Sequence, residues 1–231
     1  MRRSGRAFSL VELLVVVAIV SVLAALLAPA VGGASHRARF NRAVAAVAAE
    51  LELARQAAIA GSTYAWVAFY DDSGNASSPQ WRMVSARSLE GAAPTANTVD
   101  LTAATTPSAT QLGRVQTLDG VKLQNSPPPN TSSFQDWPDT GLISSAASPE
   151  NSSLSIKANI PDKGASDFKW AIEFNPLGEA TVRKSAGAFP VDNVMLVVVP
   201  SAGKNPNASE NKQAALIWIN GLSGGVEIYQ P

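Results

Sequence analysis

The chain has 231 residues, 46% of them hydrophobic, with 18 basic side chains matched by 18 acidic ones and one histidine, His36. The length predicts one or two domains with enough chain to bury a core, and the charge balance leaves no basic surplus for neutralising phosphates, so no nucleic-acid partner is expected. There is no cysteine, which excludes disulfides, thiolate nucleophiles and thiolate metal sites.

Residues 1–7 are short and polar and carry Arg2, Arg3 and Arg6. Behind them, Leu13 to Val31 holds Ser21 as its only strongly polar side chain; about 20 apolar residues cross a bilayer as a helix, so this run has the length of a membrane span. Glu12 stands at its start, and a carboxylate in hydrocarbon costs at least about 2.5 kcal/mol, a cost that marks a functional position. An ordinary secretory signal peptide, cut near Ala28, Ala30 or Ala34, fits less well, because the run is too long and such a peptide has no use for Glu12. Arg37, Arg39 and Arg42 after the run match the three arginines before it. The N-terminal amine and the closeness of the first group tip the balance towards a cytoplasmic leader and an outer C-terminal domain.

Beyond the run, Phe40, Val44, Val47, Leu51, Ala54 and Ala58 recur at spacings of four and three, one stripe of an amphipathic helix. Glu50, Glu52, Arg55 and Gln56 are expected on its remaining faces, with Gly61 as the C-cap. A single helix is therefore expected from near Ser9 to Ala60, kinked or locally melted at Pro29, Gly32 and Gly33, where proline removes a backbone bond and each glycine costs about 1 kcal/mol against alanine.

After Gly61 the pattern becomes β-type. Thr63–Tyr70 and Trp81–Ala86 read as a hairpin. Residues 90–112 read as a long loop, and a second variable loop contains Pro127–Pro129. Further strands are expected at Arg114–Leu118, Val121–Gln124, Leu154–Ile160, Phe168–Phe174, Glu179–Lys184, Val194–Val199, Ala215–Asn220 and Val226–Tyr229. Asn175–Gly178 has the composition of a tight turn and Asn220–Gly221 that of a two-residue hairpin. The expected fold is α+β: one long N-terminal helix, membrane-spanning in its first half, packed on the apolar face of a mostly antiparallel β-sheet.

Chemistry is sparse in this outer region. Asp71, Asp72 and Asn75 are weak candidates for calcium, and a solvated hairpin turn explains them equally well. Tyr64, Trp66, Phe69, Tyr70, Trp170 and Trp218 suit a core better than a binding surface. No nucleophile motif accompanies the lone histidine, so neither an enzyme nor a cofactor is expected.

Ala7-Phe8-Ser9-Leu10-Val11-Glu12-Leu13-Leu14, between a basic leader and an apolar helix, resembles the N-terminal signal of type IV pilins and type II secretion pseudopilins. The resemblance implies that a prepilin peptidase cuts between Ala7 and Phe8 and methylates the amine of Phe8. Where the family usually has glycine before the cut, this chain has Ala7. Glu12 matches the glutamate that in this family compensates the N-terminal charge of a neighbouring subunit during fibre assembly, and Pro29 falls where the family often bends its helix. Ile172-Glu173-Phe174-Asn175-Pro176-Leu177-Gly178 and Ile217-Trp218-Ile219-Asn220-Gly221-Leu222-Ser223-Gly224 look like the β domain of H-type minor pseudopilins and of the "Verru_Chthon cassette protein D" group.

The implied organisation is a leader at 1–7, a transmembrane and polymerisation segment at 8–31, its amphipathic continuation at 32–61, and an outer β-rich domain at 62–231 with variable loops near 87–112 and 125–152. The implied partners are prepilin peptidase, other pilin or pseudopilin subunits bound through the N-terminal helix, and membrane lipid. The implied location is the cytoplasmic membrane, followed by extraction into a pilus-like fibre. Two alternatives stay open: a single-pass anchored binding domain that never polymerises, and a minor pilin of an adhesion or DNA-uptake fibre.

Overall fold

A computed structural model describes residues 10–72, 80–94, 97–103, 108–124, 137–138, 145–184, 193–201 and 214–230, with side chains omitted at 25–36. The chain divides into two compact units, Met1–Arg39 and Phe40–Pro231.

One helix, α1, runs from Leu10 to Gly61. Its backbone stays helical across Pro29, Gly32 and Gly33. From Leu13 to Ala24 the described helix is apolar on every side, apart from Ser21. Leu10, Val11, Leu13, Leu14 and the large residues onward to Leu23 are all 49–79% exposed. No helix among the described residues is long and apolar enough to cross a membrane; residues 25–36, which complete the apolar run in the sequence, fall outside the described side chains.

In the second unit the expected stripe is the buried face: Phe40, Val44, Val47, Leu51, Ala54 and Ala58 are each at most 5% exposed. The helix ends differently from the expected glycine cap. Ser62 takes the left-handed conformation, with φ 46°, while its amide donates to the Ile59 carbonyl and the Thr63 amide to that of Ala58. The double bond from the two residues past Gly61 satisfies carbonyls that the helix end would leave open.

Thirteen strands follow among the described residues. They are β1 (Ala65–Asp71), β2 (Gln80–Ser88), β3 (Thr98–Asp100), β4 (Ala109–Gln111), β5 (Gln116–Asp119), β6 (Val121–Gln124), β7 (Ser155–Ile160), β8 (Gly164–Phe168), β9 (Trp170–Phe174), β10 (Ala180–Thr181), β11 (Val194–Pro200), β12 (Ala215–Ile219) and β13 (Val226–Tyr229). They form three sheets rather than the single sheet expected. The first has the order β10-β9-β1-β2-β4, with β5 also on β2; the second is β13-β12-β11-β6; the third is β3-β7-β8. Only the β3–β7 pair is parallel among the named strand pairs.

The central strands are buried on both faces, so the expected half-solvated sheet is replaced by layers. Val67, Phe69, Met83, Ile172 and Phe174 of the first sheet, with Leu196, Val198, Ile217 and Ile219 of the second, share a core with the helix stripe. On the reverse of the first sheet, Trp66, Ala68, Val84 and Ala86 pack against Ile156, Ala158, Ile160 and Phe168 of the third. On the reverse of the second, Met195, Val197, Leu216 and Trp218 gather a third cluster. Long apolar strands such as Val194–Val199 make sense in this setting, since a strand covered on both sides needs no polar alternation.

Three further expectations are corrected. Phe168–Phe174 is two strands: Phe168 pairs with Ile156 in the third sheet, Trp170 pairs with Phe69 in the first, and the chain crosses between layers at Lys169. Residues 90–112 contain β3 and β4, held by Ser155–Lys157 and Ala86–Ser88 respectively. The β12–β13 hairpin turns over Asn220–Gly225, where the Asn220 amide donates to Gly225 and the Gly224 amide to Asn220. Gly224, at φ 63°, supplies the left-handed residue instead of Gly221. The turn at Asn175–Gly178 forms as expected, with Gly178 at φ 84° and the Asn175 side chain accepting from the Leu177 amide at 2.9 Å and the Glu179 amide at 3.0 Å.

Candidate processing and assembly site

Of the expected site residues, Ala7 and Phe8 lie outside the described residues. Glu12 is described, exposed, and sits in the first turn of α1 as described. Pro29, Gly32 and Gly33 are described only as helical backbone. The site is thus a carboxylate on a helix whose large apolar side chains from Leu10 to Leu23, on either side of it in the sequence, are all open. An apolar surface continuous around a helix must be covered, by hydrocarbon or by other apolar helices.

Away from this segment, the charged groups that looked loop-like or solvated are structural. Asp72, a weak calcium candidate, is 4% exposed; it pairs with Arg82 at 3.3 Å and with Lys163, while Arg82 also holds Asp162 at 2.7 Å. The cluster fastens the end of β1 to the turn between β7 and β8. Both carboxylate oxygens of Asp72 serve this ion cluster, which replaces the solvated turn expected there. The bond from Arg82 holds the Asp162 carboxyl below its ordinary pKa. Asp71 is exposed, Asn75 lies outside the described residues, and no group of three or more metal-ligating side chains occurs among the described residues.

Two buried carboxylates escaped the sequence reading. Glu50, expected on a solvated face, is 5% exposed; it accepts from the Ser85 hydroxyl and, at 2.6 Å, from the Gln116 amide, so it bonds α1 to β2 and β5. Its signal was present, because Ala43, Val47, Glu50 and Ala54 share the four-and-three spacing of the buried stripe. Glu173 in β9 is 1% exposed, accepting from the Trp66 indole at 2.8 Å and from Arg183 at 2.7 Å. Burial pushes its pKa up, against the opposing pull of Arg183 and Trp66. Arg183 also donates to the Pro94 carbonyl at 2.8 Å, and its own carbonyl accepts from Ser153. The pair lies within the first sheet and, through Arg183, fastens it to the segments at Pro94 and Ser153. Trp66 and Trp218 are core, as the aromatic pattern suggested, and Trp170 meets Trp81 edge-on at 4.8 Å.

No curated protein and no solved structure matches the chain. Residues 2–28 match the family model of the prokaryotic N-terminal methylation motif. That span contains Ala7, Phe8 and Glu12 and most of the apolar run, and the segment is therefore a prepilin-type signal of the kind that precedes type IV pilin and pseudopilin helices.

Proposed function

We propose that the protein is a minor pseudopilin-like structural subunit of a type II secretion or type IV pilus-like fibre. Its precursor sits in the cytoplasmic membrane with the leader inside and the β-rich unit outside. Prepilin peptidase cuts between Ala7 and Phe8 and methylates Phe8, and the subunit then leaves the bilayer by packing its apolar helix among those of its neighbours. The chain is a substrate of an enzyme and performs no catalysis of its own. The observation that carries this reading is the methylation-motif match over residues 2–28, joined to an acidic first turn on a helix with open apolar sides.

In this scheme Glu12 pairs with the methylated amine of a neighbouring Phe8. Two opposite charges attract strongly at low dielectric, whereas either alone is expensive. The test is Glu12→Ala in a cell that carries the cognate machinery. Membrane insertion is expected to persist while incorporation into the fibre is lost. Unchanged incorporation would overturn the role given to Glu12, whereas wild-type protein that stays in the membrane and never enters a fibre would favour the alternative of an anchored binding domain. The −3 charge left after cleavage, from 15 basic and 18 acidic residues, weighs against a DNA-uptake pilin.

A further inference from the structure

Several basic residues of this protein are ion-paired, whereas others, Arg42 in the second unit among them, are exposed and appear in no ion pair among the described residues. Arg55, Arg82, Arg183, Lys157 and Lys163 each hold a carboxylate. Arg37 and Arg39 are exposed and have no ion-pair or hydrogen-bond partner among the described residues. The sequence has no acidic residue between Glu12 and Glu50, so the helix itself offers them no carboxylate within about three turns. Both belong to the first unit, on continuous helical backbone.

We propose that Arg37 and Arg39 form a collar that binds anionic phospholipid headgroups at the outer face of the membrane, a role that rests on the membrane reading above. The position fits. The run from Leu13 to Val31 is about 28 Å long as a helix at about 1.5 Å per residue, and the hydrocarbon core is about 30 Å thick. Arg37 and Arg39 lie six and eight residues past Val31, about 9 and about 12 Å farther along the axis, just beyond the headgroup layer that adds about 5 to 8 Å per leaflet. The long arginine stems allow the guanidinium groups to reach back towards phosphate, for which their planar fork is suited. At 100° per residue the two side chains leave the helix about 200° apart, on opposite sides. A surrounding headgroup layer can meet both, whereas one acidic neighbour on another subunit meets only one.

The test uses the full chain reconstituted into bilayers of phosphatidylcholine containing a minor share of phosphatidylglycerol, with spin-labelled versions of each lipid reporting which is held at the protein surface. Wild-type protein is expected to prefer the anionic lipid, in a manner weakened by salt. The preference should fall about fivefold for each arginine removed in Arg37→Gln and Arg39→Gln, and survive in the Arg37→Lys/Arg39→Lys double variant. Equal selectivity in wild type and the double glutamine variant overturns the collar while leaving the membrane anchor standing. So does unchanged lipid selectivity combined with crosslinking of these arginines to an acidic subunit. A chain that fails to enter either bilayer overturns the collar and the anchor together. Circular dichroism of the β-rich unit verifies that each variant is folded.

Discussion

The two ends of α1 have nearly the same taste for apolar residues and opposite fates. From Leu10 to Leu23 every large side chain is open, on all sides; from Phe40 to Ala58 the apolar positions collect on one face and vanish beneath two sheets. The second stretch carries its own cover in the fold, as a one-sided stripe can. The first has apolar residues all round, a pattern that no single sheet can satisfy, so its cover must be a surrounding medium. That contrast locates the stability of the protein in one stretch and its assembly chemistry in the other.

The contrast breaks most visibly by substitution in the two halves. Leu51→Ala, at a position with no exposure, should cost about 2–5 kcal/mol in denaturant unfolding followed by tryptophan fluorescence. Val16→Ala should move the same transition by less than about 0.5 kcal/mol. If both variants destabilise the β-rich unit equally, the division of labour is wrong. Next in size is Gly224→Ala. An added Cβ would stand 1.9 Å from the Gly178 carbonyl oxygen, and the left-handed φ itself disfavours alanine, so a loss of at least about 2 kcal/mol is expected by the same assay.

Glu173 gives a pH-dependent comparison confined to the second unit. Its folded pKa is raised above the ordinary 4.5, chiefly by burial. Its contribution to stability is therefore fully present below the unfolded value and is lost as pH rises through the raised one. In Glu173→Gln that decline disappears, so unfolding midpoints measured between about pH 4 and about pH 8 should vary less above 4.5 than in wild type. A steeper variant profile would contradict the sign. The smallest effect is a gain. Ser62→Gly relieves the left-handed strain at the helix end, where φ is 46°, and should add up to about 1 kcal/mol.

Much of this contrast is legible from residue spacing. The buried stripe of α1 follows directly from intervals of four and three, and the β1–β2 hairpin from two aromatic and β-branched runs around a polar turn. What spacing does not reveal is which layer a strand enters. Phe168, Trp170, Ile172 and Phe174 alternate as one strand would, yet the chain changes sheets at Lys169, because the third sheet offers Phe168 a pairing with Ile156 that no local pattern encodes. The three-residue strands β3, Thr-Val-Asp, and β4, Ala-Thr-Gln, are too short to show a period, and their conformation rests on pairing with β7 and β2. Buried charges are hidden because their cations sit on other strands and turns: Asp72 takes Arg82 from β2 and Lys163 from the β7–β8 turn, and Glu173 takes Arg183 from beyond β10. The N-terminal signal is the opposite case. A peptidase reads it in linear sequence, so its residues are recognisable before any fold is known.

The central claim is that the first stretch of α1 begins its working life at Phe8. Mass spectrometry of the N-terminal peptide from protein recovered from its native membrane tests this directly. The account predicts a chain starting at Phe8 and carrying one methyl group on its amine; an intact Met1, or a terminus just after Ala30 or Ala34, would contradict it.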